Sequence, residues 1–285
     1  MTPPPFDVRR YYDETTRSLL RFGQGRTEGA IHRAVWGPGV TTNSGAIHYV
    51  EDQIATRIPG STGSEPRLVD LGCGVGASLC YLASQRRIRG TGVTLSPVQA
   101  AAAEARIRAH GLDEHLTCLV GDYNRLPDGL GADAAYAIES FVHGATPDRF
   151  FAESARILAP NGALFVCDDF LADADSRTRA PDAGWLERFR FGWHVNTLVT
   201  ASETIQLARQ AGLSHVETLD FSAHLELERP RDLAIAAAVK LLGRLPARST
   251  YYRMLYGGHA LQHALKRGWV RYLMLVFRRE HEVRC

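Results

Sequence analysis

The stretch RLVDLGCGVGASLCYLASQ, residues 67–85, decides the fold of this 285-residue chain. It begins with RLVDL, an apolar run that predicts a short buried strand. Three glycines follow, at Gly72, Gly74 and Gly76, and ASLCYLASQ then has the composition of a helix. Glycines in this position let the backbone approach a ligand closely at the N-terminus of a helix. The stretch therefore predicts a ligand-binding loop rather than a simple tight turn.

Strands and helices alternate on the C-terminal side of this loop. The further strands of this region are predicted at residues 90–95, 116–120, 132–138 and 162–168. Helices are predicted between them at residues 96–111, with Ser96 as cap and Gly111 as stop, and at residues 146–158, opened by Thr146 and Pro147. Alternation at this spacing predicts an α/β fold with a parallel sheet and helices on both faces.

The two ends of the chain add elements to this pattern. Residues 45–58 place apolar side chains at helical spacing, and the Pro-, Gly- and Ser-rich residues 59–66 mark a loop. Near the C-terminus, strands are predicted at residues 214–221 and 270–279. The residues between these two strands read as mostly helical. They form either a cap over a site or a helical pair on the edge of the sheet.

The composition excludes several classes of protein. Hydrophobic residues make up 45% and charged residues 22%, which is typical of a globular chain, and a net charge of +2 gives no field that would attract nucleic acid. The five cysteines include no CxxC pair, so neither a zinc site nor a disulfide framework is expected. Because the first residues have no apolar signal core and no apolar run approaches about 18 residues, we expect a soluble cytoplasmic protein without a membrane span.

Arginine dominates the basic residues, since lysine occurs only at Lys240 and Lys266 and the other 31 of the 33 are arginine. Codon bias in a GC-rich genome would explain this excess. The alternative is that guanidinium groups bind an anionic ligand such as a diphosphate. The arginines available for this near the N-terminus are Arg9, Arg10, Arg17, Arg21, Arg26 and Arg33.

Two cofactors compete for the glycine loop. Residues 72–77 match G-x-G-x-x-A, the dinucleotide pattern, which requires an acid for the ribose at the end of the second strand. That strand ends at Thr94, and no arginine stands there for a 2′-phosphate. S-adenosylmethionine instead calls for an acid before the first glycine and another after the third strand. Asp70 and Asp122 meet both requirements, so the sequence favours S-adenosylmethionine.

Residues 67–169 resemble the class I S-adenosylmethionine-dependent methyltransferases. The order of the elements extends the resemblance to the C-terminus. It implies a Rossmann-like, doubly wound and mostly parallel seven-stranded sheet with an antiparallel C-terminal strand. It also implies that the loop at residues 70–76 contacts the amino-acid part of the cofactor, and that Asp122 and Tyr123 lie near the adenine.

Shorter motifs narrow the resemblance. GVTLSPVQ, residues 92–99, is similar to a subgroup that includes cyclopropane fatty-acid synthases and the C-methyltransferases of sterol side chains and prenyl diphosphates. Most class I enzymes have an acid for the ribose where this chain has Thr94. YAIESFVH, residues 136–143, resembles a block of sterol and tocopherol methyltransferases, and AVWGPGV, residues 34–40, resembles their Y-G-x-G segment. The cofactor-binding residues implied are Asp70, Gly72, Cys73, Gly74, Thr94, Leu95, Gln99, Asp122, Tyr123 and Glu139.

The subgroup implies methylation of an alkene carbon in an isoprenoid chain, through a carbocation that is deprotonated or cyclises. Such a cation needs a dry pocket with aromatic faces and a base. Glu139 is the candidate base, because it follows the fourth strand at the ligand-binding edge of the sheet, although a structural carboxylate is an equal alternative. His143 is the second catalytic candidate, as a residue that holds a water or orients Glu139. The candidate substrate-pocket residues are Tyr11, Tyr12, Phe22, Trp36, Phe170, Trp193 and His194.

Residues 1–60 are expected to form a helical segment over the site, and residues 61–285 the methyltransferase domain, with a helical cap at about 223–268. The acceptor is then a hydrophobic, isoprenoid small molecule, either a prenyl diphosphate, which would bring in magnesium, or a prenylated scaffold. Methyl transfer itself requires no metal. The main alternative is an O- or N-methyltransferase of a natural product, in which His143 and His194 would matter more than Glu139. A non-enzymatic cofactor-binding protein is disfavoured by the intact loop. No nucleic-acid partner is expected, and a homo-oligomer is left open.

Overall fold

The computed structural model describes residues 6–22, 28–59, 65–177, 182–242 and 250–280. Its centre is one seven-stranded sheet with the strand order β3-β2-β1-β4-β5-β7-β6. The strands are β1 (Arg67–Leu71), β2 (Arg89–Thr94), β3 (Leu116–Val120), β4 (Ala132–Ile138), β5 (Leu158–Leu171), β6 (Leu213–Asp220) and β7 (Val270–Arg279). Neighbouring strands are parallel except at β7, which runs antiparallel to β5 and β6. The predicted mostly parallel sheet with an antiparallel C-terminal strand is confirmed.

Helices cover both faces of this sheet. They are α1 (Val8–Phe22), α2 (Asn43–Ala55), α3 (Ala77–Gln85), α4 (Pro97–Ala109), α5 (Pro147–Ile157), α6 (Asp182–Trp193), α7 (Ala201–Gln210), α8 (Pro230–Leu242) and α9 (Thr250–Lys266). One core cluster contains Phe150 and Phe151 of α5, and the cluster on the other face contains Leu79 of α3 and Val50 of α2. The doubly wound architecture follows, because each face of the sheet has its own apolar layer.

Local sequence signals fixed most element boundaries. Helix α4 begins as predicted, since the Ser96 hydroxyl accepts a hydrogen bond from the Gln99 amide at 3.1 Å, and Gly111 beyond its end has a φ of +64°. Strand β5 is longer than the predicted residues 162–168. Its extra residues pair with neighbouring strands, as Leu171 does with Val270, and a local apolar pattern does not report such pairing.

The order of the strands positions the site. Chain connections leave β1 and β4 in opposite directions, which opens a crevice at the carboxyl ends of these two strands. Helices α8 and α9 occupy the range predicted for a cap, and α6 packs against α9. No helix in the described part of the chain is long and apolar enough to cross a membrane. The middle of the predicted loop at residues 59–66, Arg26 and the side chain of Phe22 lie outside the described residues.

Candidate active site

A cavity of about 410 Å³ opens at the carboxyl ends of the central strands. Loops after β1, β2, β3 and β4 form its floor, and α1 and α9 contribute to its walls. All ten residues that the sequence assigns to the cofactor line it: Asp70, Gly72, Cys73, Gly74, Thr94, Leu95, Gln99, Asp122, Tyr123 and Glu139. The fold therefore brings these residues together, while their individual contacts with the cofactor stay predictions.

The glycine loop forms an open cradle in this cavity. Gly72 has a φ of +105°, and a Cβ added there would lie 2.4 Å from the Cβ of Ser140, so only glycine fits. The backbone amide of Gly72 donates to the carbonyl of Val93 at 2.9 Å, which fixes the loop to β2. Gly76 is the N-cap of α3 and supplies no side-chain cap. The first amides of α3 are therefore left for a ligand, as at other ligand-binding helix N-termini.

Asp70, the penultimate residue of β1, lies beside this cradle and is only 3% exposed. Burial disfavours its charged form and raises its pKa to about 7. A buried carboxyl whose charged form is disfavoured is suited to a ligand that brings a cation to it. The ammonium of the amino-acid part of S-adenosylmethionine is such a group, so the residues at this end of the cavity fit the predicted cofactor.

Polar side chains line the other end of the cofactor region. The hydroxyl of Thr94 donates to Oε1 of Gln99 at 2.8 Å, and both side chains are buried. Oδ1 of Asp122 accepts a hydrogen bond from the backbone amide of Asn124 at 2.8 Å. The hydroxyl of Tyr123 donates to the carbonyl of Ser140 at 2.9 Å, so the ring rather than the hydroxyl is left for a ligand.

Glu139 sits at the centre of a buried ionic cluster. Its φ of +49° turns the carboxylate toward Arg33, whose backbone amide and Nε donate to Oε1 at 2.9 and 3.0 Å. The Tyr272 hydroxyl donates to the same oxygen at 2.9 Å, and the Arg33 guanidinium also forms two bonds to Asp169. Burial opposes ionisation of Glu139, but the charge of Arg33 outweighs it and lowers the pKa. These contacts are those of a structural carboxylate and make Glu139 a weak base.

His143 has the properties that Glu139 lacks. It lines the cavity, and its Nδ1 lies 3.2 Å from the carbonyl of His194, which can only accept, so Nδ1 carries a proton. Burial lowers the pKa of His143 to about 4, which leaves the ring neutral at pH 7. Nε2 therefore presents a lone pair, and the Tyr12 hydroxyl donates to it at 2.8 Å. A neutral imidazole with a fixed tautomer can accept a proton in the cavity.

Neighbouring side chains hold the backbone around His143. Oδ2 of Asp168 accepts from the amide of Val142 at 3.1 Å, and the Asn196 side chain donates to the carbonyl of His143 at 2.8 Å. The side-chain oxygen of Asn196 in turn accepts from the amide of Phe6 at 2.8 Å. Segments that are far apart in the chain thus position the imidazole.

The predicted substrate-pocket residues separate into two groups. Tyr11, Tyr12 and Trp193 line the cavity, and their contact with a substrate stays a prediction. Trp36 and Phe170 do not line it. Phe170 is fully buried, because its position on β5 directs the ring into the core cluster that contains α5, and Trp36 packs against a separate apolar cluster.

His194 does not line the cavity either. Its ring stacks on Tyr11 with a centroid distance of 4.7 Å, and its carbonyl, rather than its ring, is directed to His143. The prediction for Phe22 concerns a side chain outside the described residues. Sequence reasoning missed His32, Asn196 and Met254, which line the cavity and carry no motif that would have marked them.

A second cavity of about 140 Å³ adjoins the first beneath α8 and α9. The residues that line both cavities are Leu19, Ile31, His32, Glu139, Trp193 and Met254. Apolar side chains such as Leu225, Ile235 and Leu261 line much of the remainder. The second cavity therefore extends the first toward the helices predicted as a cap.

A family model described as "Methyltransferase domain" matches residues 69–166, which is about a third of the chain. The probable chloroplastic tocopherol O-methyltransferase of Oryza sativa subsp. japonica is 28% identical over 186 residues, covering 63% of this chain and 51%, about half, of that protein. The O-methyltransferase cnsE of Penicillium expansum is 28% identical over 226 residues, with 78% of each chain covered.

Two solved structures show the same fold over nearly the whole chain. The [4+2]-cyclase SpnF is 24% identical with a TM-score of 0.75, covering 98% of this chain and 97% of that one. A geranyl diphosphate methyltransferase solved with GPP and sinefungin is 20% identical with a TM-score of 0.71, covering 96% and 98%. These similarities confirm the Rossmann-like fold.

Proposed function

We propose that this chain, a class I S-adenosylmethionine-dependent methyltransferase, methylates a hydroxyl oxygen of a hydrophobic small molecule, with His143 as general base. The observation that carries the proposal is the state of His143. Its imidazole is neutral, its Nδ1 proton is held by the His194 carbonyl, and its Nε2, on the wall of the cavity, accepts a hydrogen bond from the Tyr12 hydroxyl. The O-methyltransferase relatives support this reading.

The residues around the cavity have defined tasks in this reaction. When bound, S-adenosylmethionine supplies an activated methyl group on a sulfonium centre. Asp70 and the glycine loop bind its amino-acid part, and Thr94, Gln99 and Asp122 bind its nucleoside. Tyr11, Tyr12 and Trp193 cover the acceptor and exclude water. Alignment of this kind can supply about 7–11 kcal/mol of the barrier.

The position of the Tyr12 hydroxyl indicates where an acceptor hydroxyl would bind. A general base must lie about 2.6–3.2 Å from the oxygen whose proton it takes, and the Tyr12 oxygen is 2.8 Å from Nε2 of His143. An acceptor hydroxyl at this distance would pass its proton to Nε2 as the oxygen attacks the methyl group. Glu139 is less suited to this role because Oε1 already accepts three hydrogen bonds.

Methylation of an alkene carbon in a terpenoid, the reading favoured by the sequence motifs, is the second candidate. The aromatic side chains of Phe6, Tyr11, Tyr12, Tyr123 and Trp193 in the cavity wall favour it, since their faces stabilise a carbocation by about 0.5–2 kcal/mol each. A carbocation is a strong acid, so even a weak base such as Glu139 would deprotonate it.

Within this second candidate, the contacts favour a prenylated scaffold over a free diphosphate. Arg33 already pairs with Glu139 and Asp169, and Arg10 pairs with Glu14 at 2.8 Å. These two guanidinium groups are therefore engaged by the protein itself, and that of Arg9, which lines the cavity, lies 3.8 Å from Asp13. The cytoplasmic location, the role in specialised metabolism and the homo-oligomer stay predictions.

Product analysis separates the two candidates. The protein is incubated with methyl-labelled S-adenosylmethionine and a panel of phenols, prenyl alcohols, prenylated scaffolds and prenyl diphosphates, and products are found by mass spectrometry. NMR then distinguishes a new methoxy group from a new methyl group on carbon. We expect a methoxy group, whereas a new C–C bond would establish the second candidate.

Two matched variants assign the base. His143→Asn removes the Nε2 lone pair and should slow turnover by about 10²–10⁴-fold with unchanged S-adenosylhomocysteine affinity. His194→Asn is the control, because it keeps the carbonyl that holds His143 and asparagine tolerates a φ of +53°. Turnover that survives His143→Asn but is lost in Glu139→Gln would assign the base to Glu139 instead.

A further inference from the structure

His32 is a buried side chain on the wall of the cofactor cavity. It is 7% exposed, precedes the motif AVWGPGV, and lines both cavities. Its Nε2 lies 2.8 Å from Oε1 of Glu51, which is completely buried on α2. The hydroxyl of Ser78, in the first turn of α3, donates to the same oxygen at 2.8 Å. His32 is thereby connected through Glu51 to the helix that follows the glycine loop.

The partners of both ring nitrogens indicate that His32 is a cation. Nδ1 lies 3.3 Å from the carbonyl of Arg33, which only accepts, and Nε2 faces the carboxylate of Glu51. A fully buried carboxylate needs a positive partner. Burial alone would lower the pKa of His32, but the charge of Glu51 outweighs it and raises the pKa to about 9. Glu139 acts in the same direction.

His32 lies at the same end of the cavity as Asp70. The charge of His32 acts to lower the pKa of Asp70. Ile31, the residue before His32, has its Cδ1 3.7 Å from the position that a Cβ on Gly74 would occupy. The other titratable group in contact with this site is His48, whose Nδ1 is 3.7 Å from Oε1 of Glu51. His32 is therefore beside the cradle to which the motifs assign the amino-acid part of the cofactor.

The charges of the cofactor call for such a residue. Its amino-acid part carries an ammonium and a carboxylate, and Asp70 suits only the ammonium. Among the described residues that line the cavity, the positively charged side chains are Arg9 and His32. Arg9 lies on α1, its side chain is 63% exposed, and its Nε is 3.8 Å from Oδ2 of Asp13. Asp13 in turn accepts a hydrogen bond from the hydroxyl of Ser96, just beyond β2. Arg9 thus lies toward the nucleoside end.

We infer that His32, held as a cation by Glu51, binds the carboxylate of the cofactor's amino-acid part, while Asp70 binds the ammonium. The longer of its two hydrogen bonds, to the carbonyl of Arg33, is the one a ligand carboxylate would replace. The inference rests on the cofactor alone. Its failure would therefore leave the proposed acceptor and the role of His143 intact.

Calorimetry with two ligands tests it. His32→Gln is titrated with S-adenosylhomocysteine and with its decarboxylated analogue, which retains the amine and the nucleoside. We expect the variant to bind S-adenosylhomocysteine at least about tenfold more weakly than the wild type, since a hydrogen bond to a charged group is lost. The analogue should bind both proteins equally. His48→Gln is the matched control, because it touches the same Glu51 outside the cavity, and it should leave both affinities unchanged.

Equal weakening for both ligands would show a merely structural role for His32 and overturn the inference, as would no weakening at all. If His32→Gln does not fold, the wild type provides the test. Its preference for the deaminated analogue of S-adenosylhomocysteine, which keeps the carboxylate and has no amine that titrates, over 5′-methylthioadenosine, which lacks the carboxylate, should fall as the pH rises through about 9, where His32 loses its proton. A preference that stays constant across this range would also overturn the inference.

Discussion

The carbonyl of His194 accepts the Nδ1 proton of His143 at 3.2 Å, and His194 adopts a φ of +53° where it does so. This left-handed conformation costs a residue other than glycine about 1–3 kcal/mol. The strained residue lies beside the imidazole of His143, and its carbonyl fixes the tautomer of that ring. The relationship explains why His194 matters to the site although its ring lies outside the cavity.

The depressed pKa of His143 has a consequence for the pH dependence of the reaction. The base is active when neutral, and with a pKa of about 4 it stays neutral down to mildly acidic pH. We therefore expect kcat/KM for the acceptor, at saturating cofactor, to be flat from about pH 5.5 to 8. A base with the ordinary imidazole pKa of about 6.5 would be half protonated at pH 6.5, and the enzyme would lose half of its activity there. Such a midpoint in the pH–rate profile would contradict the assignment.

Asp70 should make cofactor binding depend on pH near neutrality. Its pKa is raised to about 7 in the free protein, whereas the ligand ammonium binds the ionised form. Affinity for S-adenosylhomocysteine should thus be flat between about pH 7 and 8 and fall by up to about tenfold per pH unit below pH 7. Calorimetry in buffers of different ionisation enthalpy should also detect proton release. Asp70→Asn should abolish this dependence, whereas Asp122→Asn, in the same cavity, should retain it.

Arg33 should be essential for stability. Its side chain is 11% exposed and pairs with Glu139 and Asp169, so Arg33→Met leaves two buried carboxylates without a cation. We expect a loss of about 3–5 kcal/mol in the free energy of unfolding, measured by urea denaturation. The control is Arg57→Met, which removes a partly exposed pair with Glu217 and should cost less than about 1 kcal/mol. Similar losses in both variants would refute the structural role of the cluster.

The contact between α6 and α9 should tolerate no side chain at Gly192. A Cβ there would lie 2.5 Å from the Cα of Gly257 and from the carbonyl oxygen of Arg253, both of them backbone atoms. Gly192→Ala should lower the free energy of unfolding by about 1–3 kcal/mol. It should also weaken acceptor binding, because the next residue, Trp193, lines both cavities. The control Gly184→Ala on α6, with nothing within 4 Å, should be neutral or stabilising by up to about 1 kcal/mol.

The parts that were predictable from sequence depend on local patterns. Strand β1 and helix α3 have the bounds that the sequence suggests, and the glycine loop between them has the positive φ angles that only glycines adopt easily. The residues predicted to bind the cofactor meet in one cavity because they follow successive strands, whose carboxyl ends lie at one edge of a parallel sheet. Periodicity and spacing carry this information without any knowledge of long-range contacts.

The catalytic assignment could not be predicted in the same way. The sequence left Glu139 open between a base and a structural carboxylate, because its three hydrogen bonds come from Arg33 and Tyr272, which are 106 and 133 positions away in the chain. Likewise, Arg33 was one of several arginines open to a diphosphate, and only folding pairs it with two carboxylates.

The sequence by itself therefore determined the sheet, the glycine loop and the type of cofactor, because each is set by residues that are neighbours in the chain or recur at fixed spacing. The tertiary structure supplied the contacts on which the proposed base rests. Tyr12, His143 and His194 meet only when α1 and the connection after α6 pack on the carboxyl edge of the sheet. Burial and hydrogen bonding in that packed environment set the charge of a side chain, and neither is a property of the residue alone.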